Sequence, residues 1–539
     1  MNKPCFSLII VGHHPFVSSL DTEVSGEEQD FFETLSETWL PLADLCLTLE
    51  EEGIPFRFGM VLSPSLSAMF KNAALMEKYL LWLDKRIAFG EREQQRNAND
   101  HHLLSLAKWY YHKDCRRRTV LTDILCLDLA GFFEGLYQRG HLEFLLTAAT
   151  NAFLPFYVSS GEVIRAQIET AMIHHRKYFG KVPMGFWLPG MGWTPELDTY
   201  LHNYNFAYTI AAAHGLALGD PPAERGSFFP VKTPSGLTVF ANDVTAPQDL
   251  EKLQTARSGL FQCRRLDAGF ELPSRALKDL LRPKSCRCST GYRYWTGGSK
   301  KEQQPYDPQA AEAAAAEAAA LFLDQRFAKL EEAQMFMNES GDLPEAAAPL
   351  CLWAFDAGVL GRSWYEGPAF LGALFKEIDR RKNIQLCTPM EYLAALPPGA
   401  PQRTTPGFSS SLENGYGEPL LDASNDWIYR HLFRSIQRMA ELTDRFAGDS
   451  GLKERALNQA GRELLLAQSM DLSTALNPQY QGRINRAYAE KELEGALRNF
   501  TTIYEVLGSN HISTEWLTTL ERRHNFLPCI NHHVFGKKK

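Results

Sequence analysis

Asp356 stands directly after the apolar run Leu350–Phe355, and the turn Leu188-Pro189-Gly190-Met191-Gly192 follows a second run, Met184–Leu188. Parallel strands deliver such positions to one rim of a sheet, where a carboxyl can give or take a proton. Asp356 carries a carboxyl there, whereas Gly190 has no side chain. Trp187 and Trp353 lie inside apolar runs and read as core, while Trp295 and Trp364, in polar or glycine-bearing segments, divide evenly between core and an exposed aromatic platform. Glu196, after Pro195, reads as an acidic residue in a first helical turn, favoured by the dipole, and Glu366 reads as a helix-start brace. The pairs His101-His102, His174-His175 and His532-His533 lack partners at metal spacing and read as surface histidines. Cys286 and Cys288 have no second pair to complete a metal site, so neither a metal nor a cofactor is implied.

The elements that must position these residues alternate. Strands are predicted at Phe6–Val11, Phe56–Val61, Leu142–Leu146, Met184–Leu188, Ala207–Ile210, Leu237–Ala241 and Leu350–Phe355, with amphipathic helical stretches between them. That is the pattern of a βα-repeat with a parallel sheet. Residues 70–125 read as a helical insertion, Gln309–Leu330 as an alanine-rich helix with one packing face, and Leu396–Pro406 as a linker. Helices are predicted beyond it at Trp427–Phe446, Lys453–Gln468, Asn485–Leu507 and Thr514–Arg523. A length of 539 residues admits two or three domains, and a net charge of -8 argues against nucleic-acid or anionic-membrane partners. No stretch approaches the length of a membrane span. Ten scattered cysteines suit a reducing cytoplasm.

Several segments resemble glycoside hydrolase family 57, the retaining α-glucan-active enzymes, and in particular its α-1,4-glucan branching enzymes. They are Val11-Gly12-His13-His14-Pro15-Phe16, Gly140-His141-Leu142-Glu143 with Thr147–Pro155, Phe186–Trp193, Ala211–Gly215, Thr290–Trp295, Ala354–Pro368 and the run Arg455–Asp471. The resemblance implies an incomplete (β/α)7 barrel over 1–400, followed by an all-α C-terminal bundle over 407–539. It gives Asp356 the acid/base position and places His13, His214, Asp243, Trp295 and Trp364 toward substrate. Asp243 reads equally as a structural strand-end residue. Gly190 falls where the family has its nucleophile Glu, Asn151 and Arg362 where it has His, Ala212 where it has Asp, Gly358 where it has Glu, and Leu412 and Leu472 where it has Trp. The implied partner is an α-glucan or malto-oligosaccharide, without normal retaining catalysis. An active glucan enzyme with a relocated nucleophile and a protein-interaction scaffold stand as alternatives, with no protein partner indicated.

Overall fold

The structure is a computed structural model that describes residues 3–17, 24–277, 280, 287–297, 303–340, 347–397, 399–480, 482 and 484–536. Cys286 of the predicted thiol pair lies outside them. Seven strands make the barrel: β1 (Cys5–Gly12), β2 (Phe58–Leu62), β3 (Leu142–Thr147), β4 (Gly185–Trp187), β5 (Tyr208–Ala212), β7 (Thr238–Asn242) and β8 (Leu350–Asp356). They run parallel in the order β7-β5-β4-β3-β2-β1-β8. The two ends of this curl meet where Asp243 N donates to Leu352 O at 2.8 Å and Ala354 N to Asn242 Oδ1 at 2.8 Å. Each strand is apolar nearly throughout because both faces are covered. In β1, Phe6, Leu8 and Ile10 pack outward on helices, while Cys5 and Ile9 join Val61, Leu145, Tyr208 and Phe240 inside the barrel.

Three two-residue strands were not legible as periodic runs: β6 (Val231–Lys232), β9 (Gln385–Leu386) and β10 (Gln402–Arg403). Pairing of β10 with β6 makes part of the predicted linker an edge of the sheet. The insertion forms helices Ala73–Arg96 and His101–Thr119, joined by buried Asp114, which takes Arg86 at 3.1 Å and Arg117 at 2.6 Å. The alanine-rich helix extends over Pro308–Ser340 and buries Ala311, Ala315, Ala318, Phe322 and Leu330, a helical stripe facing the barrel.

Four longer helices, Asp426–Arg445, Leu452–Ala467, Arg486–Ser509 and Thr514–Arg523, form the C-terminal region. It meets the barrel partly through Phe16, whose ring lies 4.6 Å from that of Phe526. Within it Glu463 is fully buried and contacts His524 Nδ1 at 2.8 Å, with Glu492 at 3.6 Å from Nε2. Burial alone would lower the His524 pKa, but Glu463 and Glu492 outweigh it and raise it to about 9. A histidine bound more tightly to its proton when folded stabilises fully below its unfolded value near 6.5 and loses that contribution as pH rises through about 9. Urea midpoints measured across that window are expected to fall more steeply for the native chain than for His524→Gln. Parallel pH profiles would contradict the assignment.

Candidate active site

Strand β8 ends at Asp356, whose carboxylate is exposed and accepts from Gly358 N at 2.7 Å, capping the turn Ala357–Val359. Its ladder partner on β1 is Val11, two residues before His13. His13 sits between Ser63 Oγ, 2.9 Å from Nδ1, and Asp471 Oδ2, 2.7 Å from Nε2. Asp471 comes from the C-terminal region and also accepts from Asn151 Nδ2 at 3.2 Å and Ser469 Oγ at 2.9 Å. Burial pushes its pKa up, yet His13, Asn151 and Ser469 together reverse this and hold it below the usual carboxylate range. Asp471 is thus an ionised carboxylate beside the rim that carries Asp356. Residue-type reasoning passed over it, because 458 residues of chain separate it from His13 and no local spacing connects them.

The turn after β4 is closed from above. Gly190 adopts φ 60°, in the left-handed region that disfavours side chains, and a Cβ built there would lie 3.4 Å from Leu412 Cγ. Ser411 N donates to Gly190 O at 2.7 Å, and Trp193 and Ser409 exchange backbone bonds of 2.8 and 3.1 Å. Trp193 is fully buried and its indole N–H donates to Pro406 O at 3.0 Å. The chain from 406 to 417 therefore lies across this turn, with Leu412 over the space into which a residue-190 side chain would project. His214 Nε2 donates to Gly415 O at 3.1 Å, and its ring stands edge-on to Tyr416 at 5.4 Å. Tyr416 in turn stacks on Phe408 at 6.1 Å, and the two rings are 43% and 39% exposed, an open aromatic face at the border of the site.

Other candidate residues go elsewhere. Asp243 accepts from Thr245 N and Oγ1 at 2.8 Å and pairs with buried Arg326 of the alanine-rich helix at 3.2 Å, so it fastens the helix layer. Trp364 is 6% exposed and wedged between Phe261 at 5.4 Å and Phe370 at 5.2 Å, which makes it core. Trp295 is half-buried against the main core and bridges to Pro305. Glu196 is exposed at its helix start, where a hydrogen bond from Thr194 lowers its pKa. His174 and His175, read as surface residues, are buried, and desolvation holds them neutral with pKa values of about 3 and about 4. His532 is buried too. They sit where helices Gly161–Phe179 and 532–535 pack inward, which adjacent histidines do not reveal in sequence. Glu366 stands at the N-cap of helix Gly367–Arg381 but its side chain does not cap that helix; its Oε1 accepts from Gln262 N at 2.9 Å instead. Among the described residues no group of three or more His, Cys, Asp or Glu is arranged to hold a metal ion.

Arg362 points to an acidic cluster, pairing with Asp30 and lying 2.8 Å from Glu33 and 3.7 Å from Glu37. Burial pushes the Glu33 carboxyl up to about 7, against the pull of Arg362 and with the push of Glu37. Asp30, Glu33 and Arg362 line a cleft of about 640 Å³ between helix Gly26–Thr34 and residues of the C-terminal region that include Ala475, Asn477 and Tyr480.

Residues 126–250 match the family model for glycosyl hydrolase family 57, and 431–535 match that for the C-terminal part of 1,4-alpha-glucan branching enzymes. A 1,4-alpha-glucan branching enzyme of Thermococcus kodakarensis is 23% identical over 499 residues, covering 87% of this chain and 69% of that one. The crystal structure of the alpha-amylase AmyC from Thermotoga maritima superposes over the whole of both chains with a TM-score of 0.90 and 29% identity. A family 57 branching enzyme from Pyrococcus horikoshii shares the fold, with a TM-score of 0.84 at 19% identity over 99% of this chain and 97% of its own. Over these spans the chain is similar to glycoside hydrolase family 57 and, in its C-terminal region, to the 1,4-alpha-glucan branching enzymes. The span that matches the family 57 model holds Asn151, Gly190 and His214, and the span that matches the branching-enzyme model holds Asp471, so the rim is assembled from both matched regions. No described helix is long and apolar enough to cross a membrane.

Proposed function

We propose that this family 57 chain binds α-glucan at the barrel rim without performing the family's two-carboxylate retaining chemistry, and serves in glucan binding or regulation. The observation that carries this reading is Gly190 in a left-handed turn with Leu412 packed over it. Retaining transfer needs a second carboxylate roughly 5 Å from the acid, able to form a glycosyl-enzyme bond. Branching depends on that bond to hold the donor chain until a 6-hydroxyl displaces the enzyme. Asp356 keeps the proton-donor position, but Gly190 provides no oxygen to attack the anomeric carbon. The exposed pair Phe408 and Tyr416, beside His214, supplies an aromatic face and a polar edge, which suits the two aspects of a glucose ring.

Affinity electrophoresis in amylose-containing gels tests the binding half. The native chain is expected to be retarded, and Tyr416→Ala to weaken retardation roughly fivefold to tenfold, the effect of one stacking contact. Equal mobility with and without amylose would overturn it.

Asp471 supports a second reading, in which it acts as a base for direct attack by water while Asp356 protonates the leaving oxygen. Such an inverting route uses carboxyls roughly 6.5–9.5 Å apart and a base that stays ionised, as the surroundings of Asp471 keep it. It predicts hydrolysis of amylose that is abolished by Asp356→Ala and by Asp471→Asn alike.

A further inference from the structure

A second cavity, of about 160 Å³, opens in the helix layer. Its walls come from helix Leu40–Glu51, helix His101–Thr119 and the first residues of helix Gly367–Arg381, and it contains none of the rim residues. Trp109, Tyr306 and Tyr365 give it three aromatic surfaces, with ring centroids of Trp109 lying 6.1 Å from Tyr306 and 6.0 Å from Tyr365.

The polar groups of this cavity are unevenly committed. Asp44 is paired to Arg116 at 2.7 Å, Glu37 to Arg293 and Arg264, and Glu366 takes the Gln262 N–H and faces Tyr306. Glu312 is exposed at the lip. The uncommitted groups are donors apart from Glu366 Oε2, a buried acceptor without a partner that could take a sugar hydroxyl. Arg117 is 6% exposed and gives Nη1 to Asp114, while its Nε–H has no acceptor. The Tyr365 hydroxyl is buried without a partner. Among the described residues no carboxylate lies within ion-pair distance of Lys113, whose ammonium rests instead 4.4 Å from the Trp109 ring and 5.7 Å from that of Tyr365. Partly desolvated donors with no acceptor favour an anionic ligand, and the aromatic walls with space for about one hexose ring favour a sugar body.

We propose that this cavity binds a hexose monophosphate, the phosphate held by Lys113 and the Tyr365 hydroxyl, and the ring seated among Trp109, Tyr306 and Tyr365. The site is separate from the barrel rim and stands whether or not the rim turns over glucan.

Isothermal titration calorimetry of the full chain with glucose 6-phosphate, glucose and inorganic phosphate tests it. Glucose 6-phosphate is expected to bind more tightly than either half alone. Lys113→Gln is expected to weaken it by about tenfold, as loss of a charged hydrogen bond does, with Lys113→Arg retaining most of the affinity. Tyr365→Phe removes only a hydroxyl and should also weaken binding in a chain whose thermal unfolding is unchanged. Absence of binding by the native chain would overturn the proposal. So would equal affinity for glucose, which denies the phosphate contacts, or equal affinity for inorganic phosphate, which denies the ring contacts. Unaltered affinity in both Lys113→Gln and Tyr365→Phe would place the ligand elsewhere and overturn it as well.

Discussion

Replacing Arg293 by methionine is expected to lower the unfolding free energy by about 3–5 kcal/mol, the range for breaking a buried ion pair from one side. Arg293 is 1% exposed and donates to Glu37 at 2.6 Å, Gln262 at 2.8 Å and Asp267 at 3.3 Å. Methionine fills much of the volume but leaves two buried carboxylates short of a cation. Asp267 keeps N–H donors from Gly269, Thr290 and Gly291 at 2.7–2.8 Å, and Glu37 keeps Arg264 at 3.1 Å. The loss therefore falls mainly on Glu37, and a second change, Glu37→Gln, should return part of it. Urea unfolding reads both variants. A change below about 1 kcal/mol for Arg293→Met would mean that the network is relaxed by water and does not anchor Gln262, Asp267 and Glu37.

Trp193→Ala carries an expected cost of similar size, about 3–5 kcal/mol for emptying a large aromatic site. Its further consequence is local. The Trp193 indole holds Pro406 O, and its backbone pairs with Ser409, so the loop over Gly190 loses one of its three links to this residue. Limited proteolysis should then cut between 406 and 417 faster than in the native chain. Trp364→Ala is the control, since it also empties a core site but touches Phe261 and Phe370 rather than the loop. Equal cleavage of the loop in both variants would show that only global stability had changed.

The barrel was legible because seven strands buried on both faces leave seven apolar runs, and each predicted run overlaps a barrel strand. The C-terminal helices were legible from their periodicity. The short edge strands were not, since two residues carry no period and β10 is paired only through its partner β6. At the site, the family resemblance pointed to Gly190, Asp356, His13 and His214, whose motifs sit next to apolar runs. It did not reach Asp471 or the coverage of Gly190 by Leu412, because both depend on contacts between distant parts of the chain. Aromatic residues were the least legible. Trp364 lies in a glycine-bearing segment and is core, while Phe408 and Tyr416, which do face solvent, follow a proline-rich stretch that read as a linker.

The most direct measurement incubates the purified chain with amylose and counts new α-1,6 linkages and new reducing ends, with Asp356→Ala and Asp471→Asn alongside. With no carboxylate at Gly190, the native chain is expected to match both variants at the level of the protein-free control, while still being retarded by amylose in a gel. Linkages or reducing ends that accumulate with the native chain and vanish with Asp356→Ala would contradict the account. If they vanish with Asp471→Asn as well, the carboxylate from the C-terminal region carries the chemistry that Gly190 does not.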